Sequence, residues 1–358
     1  MEINDFILEN DLCSLQFEDL GGCLVDFHLK GQNINPFNFK MLHQSPYHED
    51  IYFKGHFLCA GRWGDPSYGE MAKGLNKHGE FVKLKWAGRK EGNAINMFAF
   101  SKLEGLSVTR DIELSDYSAC YKITDNLHNE NVLGRMYQIM QHQTLAGPFL
   151  NAATVVDCNA TAGFDYAFDK FGNSIVTLWP EAYTKSGRNV KLDRPETNYS
   201  SVFPFIVDPA ETQGWITAWS PEHQLLTGYV WDRKDYPWIN HWVHWEEPTP
   251  GLFEEDNTRE NSGKMLYRGL EFGNSGIHKP FNEIFAQNLL HILGETSAGF
   301  IDASESHERT FYSFLQRVPA NFKGVQKVNF NKKNITILEK TTNEIIVIPH
   351  SFNQVYEF

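Results

Sequence analysis

Three stretches, far apart in the sequence, set a potentially reactive side chain among glycines and aromatic rings, as a binding loop does. The first is Gly61-Arg62-Trp63-Gly64-Asp65, followed by Asn76-Lys77-His78-Gly79-Glu80-Phe81 and Trp86. The second is Gln141-His142-Gln143-Thr144, leading into Gly147-Pro148-Phe149. The third is Arg268-Gly269-Leu270-Glu271-Phe272-Gly273-Asn274-Ser275-Gly276. Histidine titrates near neutrality, and a carboxyl group buried among aromatic rings is pushed toward neutrality, so the two together can act as acid and base. Taken singly, a His or Glu in such a chain is usually a surface or structural group. Their joint order makes them candidates.

A fourth stretch, Asn240-His241-Trp242-Val243-His244-Trp245-Glu246-Glu247, invites a metal. In a strand, however, side chains alternate, so His241 and His244 point to opposite faces while His244 and Glu246 share one. With no third ligand at a recognisable spacing, no metal is expected. Glu254-Glu255-Asp256-Asn257 lacks the alternating ligands of a calcium loop and is expected to be solvated. Glu246 and Glu271 could form a glycosidase pair only if their carboxyl groups sat about 5–9 Å apart.

The elements that must position these groups are short. Alternating or clustered apolar runs cover Cys23 to Leu29, Ile95 to Lys102, Leu106 to Leu114, Ala119 to Asn126, Ile175 to Trp179, Gly214 to Trp219 and Leu225 to Trp231. Turn formers such as Gly21-Gly22, Glu91-Gly92-Asn93, Gly172-Asn173 and Pro221-Glu222 separate them at hairpin spacing. The best helical candidate is Asn282 to Leu293, a stretch that a strand with a flanking loop would also fit. Many short strands with turns between them predict a large all-β sandwich or barrel. Past Gly324, Lys327 to Phe330, Ile335 to Leu338 and Glu344 to Ile348 predict three small strands around the turn Asn331-Lys332-Lys333-Asn334. The expected organisation is a main domain over 1–320 and a small β extension over 321–358, either separate or part of the same domain.

Composition narrows the partners. A net charge of -13 over 358 residues opposes a phosphate backbone and an anionic membrane surface, so neither nucleic acid nor membrane is expected. The acidic start Met1-Glu2-Ile3-Asn4-Asp5 lacks the pattern of a secretory signal. Five cysteines, widely spread and without a CxxC pair, suggest neither disulfides nor zinc, and a reducing cytoplasm is the expected location. Aromatic residues are 14% of the chain, and most are expected in the core. The sequence specifies no subunit count.

The three stretches resemble the galactose mutarotase-like family, which includes aldose 1-epimerases and hexose-6-phosphate mutarotases. Gly61-Arg62, His78-Gly79 and Trp86 match its Gly-Arg segment, His-Gly motif and following Trp. His142 with Phe149 matches its second His and Phe-rich turn, and Leu270-Glu271 its late Leu-Glu motif. Ala303-Ser304-Glu305 and Thr310-Phe311-Tyr312-Ser313-Phe314 match its closing turn and strand. The similarity runs from about Arg62 to Phe314 and is that of a divergent member: the Gly-Arg signature is incomplete after Arg62, Glu80 follows His78-Gly79, and Phe-Gly-Asn follows Glu271.

The resemblance implies a β-supersandwich of large antiparallel sheets and cofactor-independent anomer exchange on a small free sugar. It implies Glu271 as base and His142 as acid, with Arg62 and His78 holding sugar oxygens. An Asp lying between the second His and the Glu would clamp hydroxyls. Asp232 is the first choice, with Asp208 and Asp235 open. Trp242 is a candidate aromatic contact for the sugar. A non-catalytic sugar-binding protein or an enzyme acting on another sugar derivative would fit the same fold. A phosphorylated sugar would call for basic residues at the mouth, with Arg62, Lys73, Lys77, Arg188 and Arg268 as candidates.

Overall fold

The computed structural model describes residues 5–44, 50–167, 175–195, 199–246 and 265–352. The acidic run 254–257 and the side chain of Glu246 lie outside the described residues, and with them the calcium-loop and glycosidase-pair readings.

Among the described residues the regular structure is almost entirely antiparallel strand, most of it in two large sheets, one of eleven strands and one of eight. The middle of the larger sheet runs His56–Gly61, Arg135–Leu145, Met265–Gly273, Trp238–Glu246, Ser201–Val207. The smaller sheet places Ser306–Arg317 between Leu225–Asp232 and Cys120–Asn129. The two sheets face each other across one apolar core. Leu58, Ile139, Leu270 and Phe272 enter it from the larger sheet, and Val108, Ile123, Tyr229 and Phe311 from the smaller.

Two strand patterns record what covers each face. Leu106–Leu114 alternates buried and half-buried positions, because one face meets the core and the other is open. Leu225–Asp232 is buried at every position but the last. Its second face carries a three-stranded sheet, Val325–Phe330, Asn334–Glu339 and Ile345–Pro349. Val328, Ile335, Ile337 and Ile348 of that sheet pack on Trp215, Trp219, Val230 and Phe314. Asn331 shapes the predicted turn, its side-chain oxygen accepting from the Lys333 and Asn334 amides.

Two sequence expectations fail locally. The predicted helix Asn282 to Leu293 is only Phe281–Ala286. Asn288 and Leu293 take left-handed backbones, and His291–Ile292 pairs with Glu295–Thr296 in a small hairpin. Ile284, Leu289 and Ile292 still bury in one apolar cluster, so the spacing that suggested a helix reports the cluster. The predicted strand Ile175 to Trp179 shrinks to Thr177–Leu178, with Ile175 and Val176 exposed. No helix among the described residues is long and apolar enough to cross a membrane, and all five cysteines are buried and unpaired.

Candidate active site

Strand register creates the central contact. Arg135–Leu145 pairs antiparallel with Met265–Gly273 through Met140↔Gly273, Gln141↔Phe272 and Thr144↔Gly269, a register that sets His142 opposite Glu271. Alternation turns Gln141, Leu270 and Phe272 toward the core and His142 and Glu271 toward the outer face. There His142 Nε2 lies 3.2 Å from Glu271 Oε1, both side chains nearly sealed from solvent. Gly269 is needed beside them, since a Cβ there would come within 2.9 Å of both Glu271 Oε1 and Trp242 Cβ.

The loop after His56–Gly61 supplies the second anchor. The Trp63 indole N–H donates to Glu271 Oε2 at 3.0 Å, leaving Oε1 for His142. Gln138 ties this loop down, accepting from the Trp63 amide at 3.1 Å and donating to Ser275 Oγ and the Ile277 carbonyl. Gly64 lets the loop lie against His278, whose carbonyl carbon would be 2.5 Å from a Cβ at that position.

His78 sits in the left-handed region, at φ 64, in a turn completed by Gly79. Outside glycine that backbone is uncommon and marks a position the surroundings over-determine. Its Nδ1 lies 2.7 Å from the Trp63 carbonyl; a carbonyl only accepts, so Nδ1 carries the proton and Nε2 is a free acceptor. Its ring is 5.0 Å from that of His142, and Phe57 stacks on His142 at 4.3 Å and lies 5.8 Å from His78.

These groups line a cavity with Phe39, Phe53, Val202 and Trp242 as its apolar wall, and with His43, Lys77 and His278. Burial governs its electrostatics. It raises the Glu271 carboxyl to about 8, against the opposing pull of the Trp63 N–H and the Lys77 ammonium. It lowers His142 to about 3, and it holds His78 and His278 well below the usual imidazole range. At neutral pH burial therefore favours the uncharged His142–Glu271 pair, with its one shared proton on the carboxyl group.

The predicted residues divide. The structure brings His142, Glu271, His78 and Trp242 into one cavity. Arg62 is a correction: its guanidinium turns away to Glu104 at 2.7 Å and Glu70 at 3.0 Å, where it neutralises a buried carboxylate. Asp232 is a second correction: it closes a strand of the smaller sheet opposite Gln213, on the other sheet from the pocket, and does not line the cavity. Asp208 caps a turn by accepting from the Ala210 amide, and Asp235 borders Asp232 and Arg309; neither lines the cavity.

Among the basic candidates Lys77 alone lines the cavity. Arg268 points inward to the Leu192 carbonyl and to His241. His241 and His244 take opposite faces, the first stacked on Trp179 and the second on Tyr267. Among the described residues no group of three or more His, Cys, Asp or Glu side chains is arranged to hold a metal ion.

Trp63 and His278 have no role assigned from the sequence, and Lys77 is there only one of five basic candidates for a phosphorylated sugar. For Trp63 the signal was present, an aromatic donor inside a glycine-bounded loop. His278 follows a turn whose path depends on Gln138, and its local sequence carries no such sign.

No protein-family model matches the sequence, and no curated protein matches it. Solved structures do match. An Escherichia coli K12 protein with a provisional aldose 1-epimerase assignment superposes with a TM-score of 0.59 at 11% identity, covering 88% of this chain and 100% of its own. A Klebsiella pneumoniae protein with the same provisional assignment gives 0.57 at 14% identity, covering 87% and 78%. A galactose mutarotase-like protein from Clostridium acetobutylicum gives 0.56 at 12% identity, covering 89% and 99%. In strand content, sheet pairing and superposition over most of its length, the chain has the all-β galactose mutarotase-like fold.

Proposed function

We propose that the protein is an aldose 1-epimerase, exchanging the α and β anomers of a small sugar without a cofactor. The observation that carries this reading is the 3.2 Å contact between His142 Nε2 and Glu271 Oε1 at the floor of an aromatic-walled cavity. Ring opening needs a base for the C1 hydroxyl proton and an acid for the ring oxygen, held together on one substrate. Glu271 and His142 are cross-strand neighbours, so one sugar can touch both.

The proton inventory fits. The neutral pair, with the proton on Glu271, and the ionised pair, carboxylate with imidazolium, contain the same number of protons. Transfer across the 3.2 Å contact interconverts them. The Trp63 N–H and the sugar's own hydroxyls favour the carboxylate form. Glu271 then takes the C1 hydroxyl proton while His142 protonates the ring oxygen, and the C1–ring oxygen bond breaks to give the open aldehyde. After rotation about C1–C2, His142 recovers its proton from the chain hydroxyl as that oxygen attacks C1. Glu271 returns its proton to the former carbonyl oxygen, and the pair is restored. His78 Nε2, a neutral acceptor, holds a sugar hydroxyl.

Saturation-transfer NMR of aldoses with the wild type, Glu271→Gln and His142→Asn tests the reading. The expected result is accelerated exchange by the wild type and a loss of about 10²–10⁴-fold in each folded variant. A wild type that binds sugars without accelerating exchange overturns it in favour of a binding protein.

A further inference from the structure

The charge inside the cavity points to what kind of sugar enters. The lining combines His43, His78, His142, His278, Lys77 and Glu271 with apolar side chains. Burial lowers all four imidazoles, so they are neutral at pH 7, and Glu271 keeps its proton there. Transfer of that proton to His142 leaves the sum unchanged. Among the described lining residues Lys77 is then the one net charge, and it bears on Glu271 and on each of the four imidazoles.

The partner Lys77 has is loose. Asp65 Oδ1 lies 3.9 Å from its ammonium, on a carboxylate whose side chain is 60% exposed. A pair of that spacing and exposure is weak and leaves the ammonium free to exchange partners. A sugar that fills the cavity displaces water from the ammonium, and an ammonium losing water favours an opposite charge within reach. Depth sets where that charge sits. The Glu271 side chain is 2% exposed, at the floor, whereas that of Lys77 is 31% exposed, at the mouth.

We infer that the sugar carries an anionic substituent, a phosphate or a carboxylate, on a carbon remote from C1, and that Lys77 is the residue that selects it. The inference rests on the mutarotase reading for its placement of C1 at the floor.

The test measures anomer exchange of glucose, glucose 6-phosphate and glucuronate, and of the three galactose counterparts, with the wild type, Lys77→Arg and Lys77→Met. The readout is the ratio of kcat/KM for each anionic sugar to that of its neutral parent, because Lys77 also bears on Glu271 and absolute rates will move. The wild type should show a ratio of about tenfold or more, Lys77→Arg should keep a preference, and Lys77→Met should bring the ratio near unity. Whichever anion gives the larger ratio identifies the substituent. A wild-type ratio near unity, or a ratio that survives in Lys77→Met, overturns the inference. If the wild type exchanges no sugar faster than Glu271→Gln, the mutarotase reading falls, and calorimetric titration of the same sugars decides this one. Selective binding of the anionic sugars that Lys77→Met abolishes upholds it; no binding, or binding without charge preference, overturns it.

Discussion

Gln141 and His142 are neighbours on one strand, both buried, yet they belong to opposite kinds of polar cluster. Gln141 faces the smaller sheet. Its Oε1 accepts from Arg110 and His56, at 3.2 and 3.1 Å, and its Nε2 donates to Asp125 at 2.7 Å and contacts the Tyr236 hydroxyl at 3.1 Å. Arg110 and Asp125 form a doubly hydrogen-bonded ion pair between the sheets, and Tyr229 meets the other nitrogen of His56. His142, on the outer face, has Glu271 at 3.2 Å and only Thr144, at 3.5 Å, near its second nitrogen. Burial keeps both His56 and His142 neutral. What separates a structural cluster from a reactive one here is spare hydrogen-bonding capacity turned toward a cavity.

The comparison can be broken by mutation. Asp125→Ala leaves the Arg110 guanidinium buried and uncompensated, and should cost about 3–5 kcal/mol in urea unfolding. His142→Asn on the other face should cost less than about 1 kcal/mol. Equal costs would erase the distinction between the faces.

A smaller effect separates the faces by pH. Glu271 is raised from 4.5 to about 8 in the folded state. Between those values the unfolded chain has released a proton the native state retains, so this group lowers stability as pH rises and its penalty levels off above about pH 8. Glu271→Gln should therefore gain stability relative to the wild type on going from pH 5 to pH 8, by about 2–4 kcal/mol. A constant difference across that range would mean the carboxyl group is not held protonated.

Trp63→Phe keeps the ring and removes the donor. It should raise the pKa of Glu271 further, moving the basic limb of the anomer-exchange profile, where the pair loses its one proton, up by about one pH unit. A profile lowered in height but unmoved in pH would make Trp63 a packing residue only. The smallest change is expected for Arg62→Lys, which should cost about 1 kcal/mol of stability through Glu104, with the KM for sugar within about twofold of wild type. A large rise in KM would return Arg62 to the binding site.

The sequence carried most of the strands because alternation is a local property, as in Leu106–Leu114 and Cys120–Asn129. The order of its motifs also singled out His142 and Glu271, which the structure sets in contact. Arg62 was drawn to the site by its match to the Gly-Arg segment, and only the fold shows that the neighbouring Trp63 faces the cavity while Arg62 faces Glu104, 42 residues away. Asp232 was misassigned for a related reason: its position between the two motifs is correct in order, but sheet membership is decided by pairing with Gln213 and the distant Ser306–Arg317 strand. Lys77 and His278 reach the pocket from loops set by long-range ties, which leave no periodic trace.

The place of Ser306–Arg317 has a kinetic consequence. It is among the last strands in the sequence, yet it joins Leu225–Asp232 to Cys120–Asn129 in the middle of the smaller sheet. Until residues through 317 are available, that sheet exists only as two separate ribbons, with the apolar faces of Ile123 and Tyr229 lacking Phe311 between them. Closing a connection of nearly two hundred residues from Cys120 to Phe314 is entropically slow. During synthesis the chain must therefore carry unjoined strand edges for most of its length, and a chaperone that shields such edges should raise its folding yield more than one that merely speeds proline isomerisation.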